Sequence, residues 1–74
     1  MIQVTIRLAD GSLDEYSESD GFISNLNSLR KQGFLGKELI HQLITDDWGA
    51  PPIVVNITGT TSKGSEVNVK IPYE

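Results

Sequence analysis

Cysteine is absent from all 74 residues. Disulfides, thiolate nucleophiles and cysteine-bound zinc are excluded together. Histidine occurs once, as His41, so an imidazole-based catalytic or metal site lacks obvious converging partners. Bases are scarce too: six Lys and Arg stand against ten Asp and Glu, for a net charge of −4. Affinity for a phosphate backbone grows with the cations a surface offers, so this balance disfavours a nucleic-acid binder. Long apolar runs are missing as well. The longest, Ile53-Val54-Val55, is far short of a membrane span. The opening "MIQVTIRLADG" alternates, with no basic region followed by an apolar one, so no secretory signal is expected and the expected location is the cytoplasm.

What is present suits a small soluble domain. A chain of this length buries only about 60% of the surface its unfolded form exposes, which leaves a small core. Without disulfides, that core must rest on idealised packing or on self-association. One domain covering residues 1–74 is expected, with no internal repeat and no low-complexity tract.

Ile2, Val4, Ile6 and Leu8 alternate with Gln3, Thr5 and Arg7, the period-two pattern of a half-buried strand. Asp10-Gly11 supplies a turn. The polar stretch 12–17, "SLDEYS", suits a second strand pairing back, with Leu13 and Tyr16 as its larger side chains. Those two are three residues apart, a spacing that calls for a bulge or a loop if both are to face the core. Phe22, Ile23, Leu26 and Leu29 then form one helical stripe, with Ser19 or Asp20 as the expected cap and Arg30 and Lys31 in the last turn. Gly33 and Phe34 fit the two positions that close a Schellman motif on Leu29. A second helix is expected over 36–46, with the stripe Leu39, Ile40, Leu43 and Ile44. Asp47 would fall in the middle of that stripe, where an unpaired carboxylate is costly, so the helix should stop near Thr45 or Asp46.

Beyond Pro51-Pro52, "IVVNIT" and "EVNVKIPY" read as a hairpin joined by "GTTSKGS". The pattern is an α+β fold: an antiparallel sheet of three to four strands with two helices on one face, in the order β-β-α-α-β-β. This order resembles that of ubiquitin-like β-grasp folds with an extra helix.

Motifs for chemistry fail on inspection. There is no G-x-S-x-G elbow. Forcing a calcium loop onto Tyr16, Glu18, Asp20 and Gly21 puts Tyr at the first ligand position and Asn27 where a bidentate Glu is needed. In "GTTSKGS" Lys63 precedes Gly64 and a strand follows, so the amides and dipole of a phosphate loop are missing. Arg7 and Lys70 are expected on one sheet face, but no stacking aromatic accompanies them for RNA. No enzyme, cofactor or metal is therefore expected.

The leading expectation is a non-catalytic protein-interaction module: an adaptor, inhibitor or accessory protein. Its partner is another protein or a second copy. Binding residues are sought in the acidic stretch, at Asp14 and Glu15, and at the helix end, at Asp46, Asp47 and Trp48. Trp48 has a competing role as an apolar lid on the core, because large aromatics bury most of their area. The alternative is a small anionic ligand held by the Lys63 loop, in a pocket formed between subunits of a homo-oligomer.

Overall fold

The computed structural model describes residues 1–45 and 47–74. Six elements follow one another: β1 (Ile2–Leu8), β2 (Leu13–Glu18), α1 (Asp20–Lys31), α2 (Gly36–Leu43), β3 (Pro52–Thr60) and β4 (Glu66–Pro72). The strands make one sheet in the order β2-β1-β3-β4, and every pairing is antiparallel. This is the expected α+β domain, with four strands and two helices.

The core follows from the period of β1. Ile2, Val4, Ile6 and Leu8 are buried, and the register sets Val4 opposite Ile57 and Ile6 opposite Val55, which in turn faces Ile71. Leu26, Leu29, Leu39, Ile40, Leu43 and Ile44 close over that aliphatic row from the helix side. Phe22, Ile23, Phe34 and Trp48 pack against the margin of the cluster.

Helix ends depart from expectation in instructive ways. The C-terminus of α1 is a full Schellman motif. Phe34 N–H donates to Leu29 O at 3.1 Å and Gly33 N–H to Arg30 O at 3.0 Å. Gly33 adopts φ +98°, where a side chain would be strained. At the other end Ser19 occupies the cap position, yet its side chain makes no capping bond. Asp20 does not cap either, because its carboxylate is turned toward Ser62. The second helix ends at Leu43, earlier than the expected Thr45 or Asp46. Ile44 is extended, at φ −124° and ψ 122°, while its N–H still bonds to Ile40 O. Leaving the helix there keeps Ile44 in the core at 5% exposure and frees Asp47 to stand exposed.

The second strand is regular, so neither a bulge nor a loop accommodates Leu13 and Tyr16. They point to opposite faces: Tyr16 toward the helices and Leu13 to the open side, 51% exposed. The bulge occurs elsewhere. Arg7 pairs with Val54 but Leu8 with Pro52, which leaves Ile53 as an extra, half-exposed residue of β3. The hairpin loop is also shorter than expected, because Gly59 and Thr60 belong to β3.

The sheet face away from the helices is uncovered. Three rows run straight across it: Ser17-Gln3-Thr58-Asn68, Glu15-Thr5-Asn56-Lys70 and Leu13-Arg7-Val54-Pro72, in the order β2 to β4. Arg7 and Lys70 thus share this face, as expected.

Candidate functional site

The helix-facing side of β2 differs from the rest of that layer. Its register places Glu18 beside Ile2, Tyr16 beside Val4 and Asp14 beside Ile6. Where the inner strands bury aliphatics, this edge strand carries two acids and a phenol. The helices cannot close over charged groups without a large desolvation cost. A groove of about 400 Å³ therefore stays open between β2, the start of α1 and the end of α2. Tyr16 and Glu18, both half-buried, line it with Phe22, Asn25, Leu43 and Thr45. Its apolar part is the flank of the core, and its polar part is Glu18, Asn25 and Thr45.

A second groove, of about 410 Å³, lies between α1 and the β3–β4 turn. Asp20, Asn27, Lys63 and Glu66 line it beside Ile23 and Val67. Ser62 N–H donates to Asp20 Oδ2 at 3.0 Å, and the Ser62 hydroxyl donates to the same oxygen. The hydroxyl first and the amide second hold the Asp20 carboxyl below its ordinary value, with help from the N-terminal ammonium and Lys63. Asp10 is lowered in the same way by the Ser12 hydroxyl, which donates at 2.6 Å, and then by the Ser12 amide.

The candidate residues are divided among different parts of the molecule. Asp14 and Glu15 are exposed on opposite faces of β2, so only Asp14 shares the helix side with Tyr16 and Glu18. Asp47 is exposed, Trp48 is half-buried against the core, and Asp46 lies outside the described residues. The 47–51 segment joins the β1–β2 turn through Ala9 N–H to Pro51 O at 2.8 Å. That brings Pro51 to the same end of the sheet as Asp10 and Asp14. Lys63 sits at the opposite end, beyond Thr60 and Glu66, a strand length of about 20 Å away. No single site contains Lys63 and the acids of the other end.

Trp48 fills the lid role, with one unmet requirement: its indole Nε1 is buried and has no hydrogen-bond partner among the described residues. His41 is exposed and forms a 2.6 Å hydrogen bond with the Tyr73 hydroxyl. The rings meet edge to face at 5.3 Å, and the Lys37 ammonium lies 5.6 Å from the Tyr73 ring centre. This cluster was not among the sequence candidates. Alternation along β4 could have put Tyr73 on the helix side, but only the packing of α2 against β4 brings His41 to it. Neither groove is lined by His41. Among the described residues, no three or more His, Asp or Glu side chains gather where they could hold a metal ion. No helix described is long and apolar enough to cross a membrane.

Neither a known protein family, nor a curated protein, nor a solved structure matches this chain.

Proposed function

We propose that this chain is a non-catalytic interaction module that receives an extended, basic segment of another protein along β2. The carrying observation is the polar helix-side face of that edge strand, which leaves a groove beside the outer edge of the sheet. Strand addition of this kind takes affinity from main-chain hydrogen bonds and specificity from alternate side chains. Asp14 and Glu18 lie on one face with Tyr16 between them, so Lys or Arg four residues apart in the guest would meet them. An apolar guest residue between those cations would meet Tyr16 and Phe22. The same acids repel a second β2 edge, which restricts pairing to segments of opposite charge. Thr45 lines the groove, so the loop bearing Asp47 leaves from its rim.

The experiment is an amide-shift titration by NMR with a synthetic peptide that presents Lys, Val and Lys on one face (Lys-Thr-Val-Thr-Lys), against one with Glu in place of each Lys. The expected result is saturable shifts in β2, Phe22 and Asn25 with the basic peptide, weakened by salt. Silence in β2, or an equal response to the acidic peptide, overturns the reading. An anionic ligand at the Lys63 loop has less support. Asp20 already takes the Ser62 amide and hydroxyl that such a ligand would use.

A further inference from the structure

The uncovered sheet face has a charge pattern unlike that of the whole chain. Its charged residues are Glu15, Glu66, Arg7 and Lys70, two acids and two bases, so the face is neutral while the chain carries −4. Glu15 and Lys70 sit at the two ends of one row, on the two edge strands. Three strand spacings separate them, about 14 Å, too far for a contact within one chain.

Consider a second copy laid face to face on this surface. An isologous pair requires that if one residue meets another, the reverse contact also forms. A two-fold axis parallel to the strands carries β2 over β4 and leaves each row in place. Glu15 then faces Lys70 of the second copy, and Lys70 faces its Glu15. Leu13 faces Pro72 and Arg7 faces Val54, so no like charges in these rows lie directly opposite, although the two Arg7 side chains come within one strand spacing in projection, about 5 Å, across the axis. An axis running across the strands instead lays β2 on β2 and β4 on β4, so it never brings Glu15 to Lys70, and placed on this row it sets like against like. Both arrangements keep the strands aligned, as stacked sheets prefer, and the charges favour the one that brings opposite signs together.

We propose that the open sheet face is a self-association surface, and that a second copy of this chain docks there about an axis parallel to the strands, with two Glu15–Lys70 contacts between copies. Leu13 and Pro72 gain cover in the same step, and Leu13 is one of the few large apolar side chains that the fold leaves half exposed. This surface is separate from the helix-side groove of β2, so the pairing stands or falls independently of the peptide titration.

Sedimentation velocity from micromolar to millimolar concentration tests the proposal with the variants Glu15→Lys and Lys70→Glu. The wild-type chain is expected to dimerise within that range. Each single variant replaces two attractions by two repulsions and should weaken the dimer by about tenfold or more. Mixing the two variants should restore association, because one then presents only Lys and the other only Glu at these positions. Intramolecular effects cannot produce that rescue, given the spacing between the residues. Circular dichroism of each variant checks that it remains folded. A wild-type chain that stays monomeric throughout, including one whose face binds a different protein, overturns the proposal. So do single variants that dimerise like wild type, or a mixture that fails to recover.

Discussion

The carboxylate of Asp20, in the first turn of α1, holds the backbone amide and hydroxyl of Ser62 in the β3–β4 turn, 42 residues away. A residue placed to cap its own helix instead fastens a distant hairpin onto it. The consequence is a dependence on pH. The Asp20 carboxyl is held below its ordinary value of 3.8, so its contribution to stability is present above that value and lost as the pH falls through the lower folded value. Asp20→Asn should remove this part of the acid sensitivity, leaving a shallower fall in melting temperature below about pH 4. Ser62→Ala, which keeps the amide but loses the hydroxyl, should fall between the two. Melting curves across acid pH check the order.

Trp48 separates two effects that usually travel together. Its ring packs on the core, while its buried Nε1 has no partner among the described residues. Trp48→Phe removes that buried donor and keeps much of the area, so stability should change by less than about 1 kcal/mol in either direction. Trp48→Ala should cost about 2–4 kcal/mol through lost packing. Urea denaturation of both variants measures the difference.

Gly59 lies in β3 at φ +133°, opposite Ile2, and a Cβ there would run into the carbonyl oxygen of Met1. Backbone strain and collision act together. Gly59→Ala should destabilise the fold by about 1–3 kcal/mol. The control is Gly49→Ala, where an added Cβ meets nothing and φ is not positive; it should stay within about 0.5 kcal/mol of wild type.

The His41–Tyr73 hydrogen bond predicts coupling between α2 and the end of β4. Tyr73→Phe alone should cost about 0.5–1 kcal/mol, a modest figure because the pair is reached by water. In a double-mutant cycle with His41→Ala, the double variant should lose less than the sum of the two single losses. Full additivity would mean that the bond contributes nothing in solution.

The fold was readable wherever local pattern and burial agree. Alternation in β1, the stripes of both helices and the Gly33–Phe34 ending are short-range signals, and each corresponds to what the chain builds. The expectations that missed share one cause, which is that a distant element decides. Tyr16 and Leu13 appear to conflict only if both must face the core, yet an edge strand needs no second buried face. Asp20 looks like a cap until the β3–β4 turn offers Ser62. The end of α2 is set by where Ile44 reaches the core, which the wheel of the helix alone does not show. For the candidate site, the acidic character of β2 was visible. That Asp14 and Glu15 serve opposite faces does not follow from composition, and neither does the distance between Lys63 and the Asp14 end of the sheet, which only the strand register sets.

The antiparallel pairing of β1 with β3 also sets the order in which the chain can complete itself. Its partner β2 follows after a short turn, so that hairpin forms from local encounters. The other edge of β1 must wait for Ile57 and Gly59, on the far side of both helices. Closing so long a loop is slow by comparison. Until it closes, the aliphatic side chains of β1 have no strand beside them on that edge. During synthesis, β1 thus emerges well before the strand that completes its enclosure. Any nascent-chain protection this protein needs should act on residues 2–8.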